Sequence, residues 1–266
     1  MKNGLRIVIL AALVLSAACS RYGDDQEKYG LCTKAREVTL QCDSLEFPYT
    51  ARFNSRGQLE SVETRNFDES FRCIESYSYN PKGELEEIAE VNSDGEQEAR
   101  YEYEMDGRFV RECRIYGMNN QEVHRWVHEN DGKHIVKTDY YAEGTPEYVT
   151  TKVFNGSHYT EESHNMGGEL LGHAEVDFVR NENRPSRICG DDVDIEIAYN
   201  DKGLPVMSRG AVLNSRGELH WVSDLEVHPV RYYSYKYDRR GNWIVRAERK
   251  SPDGPDELVI RRTIIY

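Results

Sequence analysis

The stretch HRWVHENDGKH, His124 to His134, gathers metal-capable side chains more densely than the rest of the chain. On a strand His124 and His128 share one face, because side chains alternate with a period of two. The turn around Asp131 is expected to set His134 opposite His128, so that three imidazoles converge, a set that suits zinc or copper. No cysteine or carboxylate is fixed beside them by spacing, and histidines on the wet face of a sheet are ordinary, so the expected cofactor is none. His158, His164 and His173 are more scattered. Aromatic rings offer a second chemistry, stacking on sugars. Trp126, Trp221 and Tyr233 are the candidate platforms, weighed against the reading that such rings simply pack inside the sheet. Trp243 follows its turn closely and reads as packing, whereas Trp221 in ELHWVSD departs from that position.

Other reaction classes find no support. Acid–base catalysis needs two carboxylates in a cleft with separated pKa values, and among 47 acids no pair stands apart. No Gly-x-Ser-x-Gly nucleophile elbow and no Gly-Lys-Ser/Thr phosphate loop occurs. The expectation is a protein that is not an enzyme. Net charge is −13, with 34 bases against 47 acids and no basic block, which argues against nucleic acid as a partner.

The elements that would position these residues follow from turns and alternation. Aromatic-turn-glycine units recur: FNSRG from Phe53, YSYNPKG from Tyr77, YEYEMDG from Tyr101, IAYNDKG from Ile197 and YKYDRRG from Tyr235. Other turns lie between them, such as NSDG, AEGTP and NMGG, so a turn arrives about every 12 residues. Tyr101, Tyr103 and Met105 alternate with Glu102 and Glu104. Alternation between Asn/Asp/Gly turns marks antiparallel hairpins. The fold class is therefore all-β, a long up-and-down meander of about 14 to 18 strands. It is expected to form a curved single sheet or a partly closed barrel, because a flat sheet of that size is unusual. In each turn the Asp or Asn bonds the backbone two residues on, and Gly takes the left-handed conformation.

The N-terminus reads as a leader. Lys2 and Arg6 precede the apolar run Ile7–Leu15, which is short for a membrane span, and small residues lead to Cys19. The segment resembles a bacterial lipoprotein signal, with the leucine one place early at Leu15, which implies lipidation of Cys19 and a membrane contact through lipid alone. The expected domains are a signal peptide at 1–18, a lipidated tether at 19–45 and a β-meander repeat domain at 46–266. Loss of Lys2 and Arg6 leaves 32 bases against 47 acids, a net charge of −15. Cys32 and Cys42, close together in an exported chain, are expected to form a disulfide. Cys73, Cys113 and Cys189 are expected to be buried thiols.

YKYDRRGN, with Tyr235, Tyr237, Asp238, Gly241 and Asn242, resembles the YD repeat of RHS and teneurin-like proteins. Tyr77, Tyr79 and Gly83, and Tyr199 and Gly203, match in part, with Asn80 and Asn200 in place of Asp. The acidic DDQE after Cys19 resembles the export signals of Bacteroidetes surface lipoproteins. The resemblance implies a repeat β-fold; the hollow toxin shell of the RHS family is beyond a chain of this length. The expected function is a non-enzymatic envelope lipoprotein, outer-membrane-anchored and periplasmic or surface-exposed. It would present an acidic β-sheet to another envelope protein, with carbohydrate binding through exposed Trp/Tyr as the alternative.

Overall fold

The computed structural model describes residues 25–29, 31–42, 48–65, 72–107, 109–179, 184–191, 193–213, 219–221 and 229–266. The leader and Cys19 lie outside them. A single turn of helix, α1 (Asp25–Lys28), precedes the strands β1 (Glu37–Cys42), β2 (Tyr49–Phe53), β3 (Leu59–Arg65), β4 (Arg72–Tyr79) and β5 (Leu85–Val91). There follow β6 (Gln97–Asp106), β7 (Phe109–Tyr116), β8 (Glu122–Asn130), β9 (His134–Tyr141), β10 (Pro146–Asn155), β11 (His158–Asn165) and β12 (Leu170–Phe178). The chain ends with β13 (Pro185–Gly190), β14 (Val193–Tyr199), β15 (Pro205–Arg209), β16 (Ala211–Leu213), β17 (Leu219–Trp221), β18 (Val230–Tyr237), β19 (Trp243–Arg249) and β20 (Leu258–Ile265).

Eighteen of these strands form one antiparallel sheet; β16 and β17 pair with each other as a separate hairpin. Each strand from β1 to β15 pairs with the next, β15 pairs with β18, and the run continues through β19 to β20. β20 then pairs with β1, from Glu37↔Ile265 to Cys42↔Ile260. The sheet is thus a closed barrel, not the curved open sheet that was one of the two expectations. Closure is the physical answer to edge strands, whose unpaired N–H and C=O groups would otherwise face water. The strand that seals it, β1, lies within residues read from the sequence as tether.

The turns follow the expected chemistry. In Asn54–Gln58, Asn80–Glu84, Asn200–Leu204 and Asp238–Asn242 the first and fifth residues bond through their backbones, and the fourth N–H returns to the first carbonyl. The first residue's Oδ1 accepts from the third and fifth N–H, at 2.9 Å in both cases for Asp238. Asn54, Asn80 and Asn200 do the same at 2.9–3.1 Å. The fourth residue is a glycine of positive φ, +87° at Gly241. In the turn Gly117–Gln121 a non-glycine, Asn120, holds that place at φ 55°.

Cross-strand pairs share a face, so the registers assign an inner and an outer surface around the ring. One face carries Val38, Leu40, Ala51, Val62 and Ile260, each 0% exposed, and Asp139, also 0%. Burial of that order on consecutive strands belongs to the concave side, where side chains converge; on the convex side they diverge. Tyr77, Ile88, Tyr101 and Ile115 form one inner row across β4–β7. Aromatic and aliphatic rungs alternate there. Two inserts cover parts of the inner wall. After α1, the Tyr29 ring meets Tyr49 at 6.0 Å and Phe53 at 5.5 Å. The Arg262 Nη1 donates to the Tyr29 carbonyl at 2.5 Å, and the Cys32 N–H to Asn242 Oδ1 at 2.6 Å. From the other end β16 brings in Ala211 and Leu213, both buried, and the Leu213 N–H donates to Tyr233 OH at 3.1 Å.

The outer face is charged. Across β5–β8 it carries Glu87, Arg100, Glu102, Arg114, Glu112 and Arg125. Arg100 Nη1 lies 3.3 Å from Glu87, and the Arg114 Nε donates to Glu112 at 2.7 Å. Barrels that cross membranes present an apolar outer band, and a midplane Arg or Lys on that face costs about 2–4 kcal/mol. Among the described residues no helix is long and apolar enough to cross a membrane, and the chemistry of this wall does not suit hydrocarbon.

Replacing Gly241 by Val forces a β-branched residue to positive φ and is expected to cost more than about 1 kcal/mol. Gly172→Ala, where φ is not positive and an added Cβ meets nothing within 4 Å, serves as the control. Thermal melts of the two variants check this: an unchanged midpoint for Gly241→Val refutes the turn's role.

Candidate functional site

The histidines do not converge. The register places Lys137, not His134, opposite His128, and sets Tyr141 opposite His124. His134 sits at the start of β9, where its Nδ1 lies 2.9 Å from Asp131 Oδ2, and it pairs with Val153 on β10. The three-imidazole site is therefore corrected: the chain needs residues 131–133 to turn, so His134 enters the next strand beyond reach of His128. Among the described residues no group of three or more His, Cys, Asp or Glu is placed to hold a metal ion. His128 points inward between Phe109 and Trp126, with ring centroids at 5.4 and 4.6 Å, and its Nδ1 lies 3.0 Å from the Val110 carbonyl oxygen. Burial pushes its pKa down to about 4, and the Lys137 and Lys152 charges add to that.

The aromatic candidates separate. Tyr233 is buried, its hydroxyl 3.0 Å from Ser208 Oγ, and so is a core residue, not a platform. Trp126 is half-buried on the inner wall, with Lys137 Nζ 5.6 Å from its ring. Trp221 pairs with Ala211 in the β16–β17 hairpin, and its side chain lies outside the described residues. Trp243 is buried under the Arg262 guanidinium, 3.7 Å from the ring, as its sequence position suggested. Cys32 is a free, exposed thiol donating to the Gly241 carbonyl at 3.6 Å. The expected Cys32–Cys42 disulfide is thus not formed: Cys32 is held at the Asp238–Asn242 turn by the inner insert. Cys73, Cys113 and Cys189 form no disulfide either; Cys113 is buried and the others half-buried.

The inner wall of β8–β12 holds a buried polar belt. Trp126, Asp139 and Tyr148 form one cross-strand row, and His128, Lys137, Thr150 and Ser163 another. Lys137 Nζ donates to Asp139 at 2.8 Å, and Lys152 Nζ lies 3.1 Å from Glu161. Burial holds the Glu161 carboxyl above its usual pKa, against the pull of Lys152. The ion pairs meet these groups in part: Asp139 Oδ2 and Glu161 Oε2 are buried without a hydrogen-bond partner, and Trp126, His128 and Lys137 are half-buried.

Besides the charged outer wall, the two rims are open to a partner. Successive turns alternate between rims, so turns of equal parity gather at one end. One rim, beside the inner segment after α1, exposes Arg56, Lys82, Lys133, Lys202, Arg239 and Arg240. Asp106 and Asp201 are exposed there as well, while other acids are drawn into the turns. Asp131 accepts from the Lys133 and His134 N–H groups, Asp238 from Arg240 and Asn242, and Glu84 takes Asn80 Nδ2. The other rim exposes Asp94, Glu96, Glu143, Glu169, Asp191 and Asp253, and Lys250 is the only base among the described residues of its turns. The same rim carries exposed Met118, Val123, Tyr141, Met166 and Leu170, each 46–72% exposed, along the arc from β7 to β12. Of the large apolar side chains exposed among the described residues, only Ile265 lies at the basic end. Sequence reasoning missed both rims, although sorting turns by parity would have found them.

No family model matches the chain, and no curated protein does. Among solved structures it is similar to a porin-like protein from Bacteroides uniformis, at 12% identity and a TM-score of 0.42, covering 87% of this chain and 98% of that one. A porin-like protein from Bacteroides vulgatus gives 11%, 0.40, 87% and 98%, and a protein of unknown function from Bacteroides fragilis 15%, 0.25, 60% and 95%. Likeness at this level says nothing of what the chain does.

The His128 pKa sets a pH dependence. Folded, its pKa lies below the unfolded value of about 6.5, so the unfolded chain binds the proton first. Stability is present in full above about pH 6.5 and falls as pH drops toward about 4, by about 2–3 kcal/mol. Denaturant titrations at pH 7 and pH 4.5 measure it. His128→Gln is expected to flatten that part of the profile, and an unchanged slope would count against the assignment.

Proposed function

We propose that this chain is a non-enzymatic cell-envelope lipoprotein whose barrel stands in water and presents its acidic rim to another protein. The carrying observation is the coincidence, on one rim, of exposed Met118, Tyr141, Met166 and Leu170 with exposed Glu143 and Glu169. Contiguous exposed apolar groups edged by polar ones mark interaction sites. Methionine suits a surface that must adapt to its partner. The partner expected is a protein whose apolar socket is bordered by basic groups. The charged outer wall supports the aqueous setting, and the Asx-glycine turns support the YD-repeat-like reading of the hairpins. Lipidation of Cys19 and anchoring at the outer membrane complete the proposal.

Cross-linked capture from intact cells, followed by mass spectrometry, is expected to recover one protein in near-equal amount. The triple variant Met118→Asp, Met166→Asp, Leu170→Asp should lose it by more than about tenfold, as hot-spot apolar contacts carry most of an interface's energy; Trp126→Ala should retain it. Recovery of the bait alone, together with sugar-dependent quenching of tryptophan fluorescence, would replace this reading with carbohydrate binding through Trp221. Cys19→Ala should move the protein from the membrane to the soluble fraction, and a variant that still sediments with membranes refutes the tether.

A further inference from the structure

We infer that the basic rim is a docking surface for an anionic lipid headgroup layer. The inference rests on the tether for its orientation. Arg56, Lys82, Lys133 and Arg239 stand exposed at turn tips of one rim, with Lys202 and Arg240 beside them; Asp131 and Asp238 there are turned into backbone bonds, so the bases outnumber the exposed Asp106 and Asp201. The described chain begins at this rim too: the Leu59 N–H donates to Asp25 Oδ2 at 2.9 Å, beside the Asn54–Gln58 turn. Five residues lie between Cys19 and Asp25, and the six steps from one to the other reach at most about 22 Å. An acylated Cys19 therefore holds the basic rim, not the acidic one, against the bilayer. Lys and Arg near an anionic surface are each attracted within a Debye length. The opposite rim is repelled, so the charge separation along the barrel axis reinforces what the tether begins. A net charge of −13 conceals this, because most of the excess acid lies elsewhere than the membrane-facing turns.

A second copy of the chain is the competing occupant, since a basic rim complements an acidic one. It is disfavoured because the tether commits the basic rim to the lipid side. The experiment uses the mature chain from Ser20, without acyl groups; the ring and both inner inserts lie wholly within it. Flotation is measured with mixed phosphatidylglycerol–phosphatidylcholine vesicles and with phosphatidylcholine alone. Binding is expected on the anionic vesicles only, released by salt. The variant Arg56→Glu, Lys82→Glu, Lys133→Glu, Arg239→Glu should bind more than about tenfold more weakly, with its melting curve confirming the fold. Asp94→Lys with Glu143→Lys and Asp253→Lys on the other rim should bind at least as well as the native chain. Absent flotation, flotation unchanged by the first variant, or equal loss in both variants overturns the inference. So does flotation of neither protein alongside self-association that the first variant abolishes, which would assign the rim to a second copy. Because no acyl chain is present, this test and the Cys19→Ala test can fail independently.

Discussion

The pairing of β20 with β1 is the constraint on which the rest depends. Six cross-strand pairs, from Glu37↔Ile265 to Cys42↔Ile260, turn a sheet with two raw edges into a ring with none. Long open sheets expose backbone groups that recruit other chains, and eighteen strands are far more than open twisted sheets usually carry. Once the ring is closed, inside and outside are distinct, and every residue's face is fixed by parity. A slip of one residue would send the whole inner set outward, so the buried rungs and the ring enforce each other.

The inner wall shows what such a ring does with its polar residues. The chain is modest in apolar content, 38%, and rich in tyrosine. Its wall is completed by pairs such as Lys152 with Glu161 and Lys137 with Asp139, and by Arg262 laid over Trp243. Burial lowers the Arg262 pKa to about 10, yet its donors are met: the Nε by the Trp243 carbonyl and Nη1 by that of Tyr29. There the β19–β20 ladder has ended at Val245↔Arg261 while β1–β20 pairing goes on. A side chain thus supplies the hydrogen bond that the backbone no longer makes.

Much of this was legible in the sequence, for local reasons. Asn54, Asn80, Asn200 and Asp238, each with a glycine three residues on, announce hairpins through chemistry complete within five residues. The alternation of Tyr101 and Tyr103 with Glu102 and Glu104 separates the faces. The size of the sheet pointed to a curl or a barrel, but the strand that seals it was not legible, because EVTLQC in β1 finds its partner more than two hundred residues away and carries no local mark of it. The same distance hid the tie between Cys32 and the Asp238–Asn242 turn, which displaced the expected disulfide. The histidine site failed on register: the length of one turn decides which residue faces His128. The rims failed on scale, since each charge is unremarkable until turns of equal parity are collected.

The adjacency of the first and last strands also bears on how the chain reaches its native state. β1 is made early and must wait, unpaired on one side, until β20 has been made. Contacts at that separation close slowly, since the loop entropy is met before any reward. During the interval the nascent sheet grows hairpin by hairpin with a sticky flank at each end, the condition under which chains aggregate. A holding chaperone, or rapid covering of β1 by the segment carrying Tyr29 and Leu31, would shelter that flank until β20 arrives.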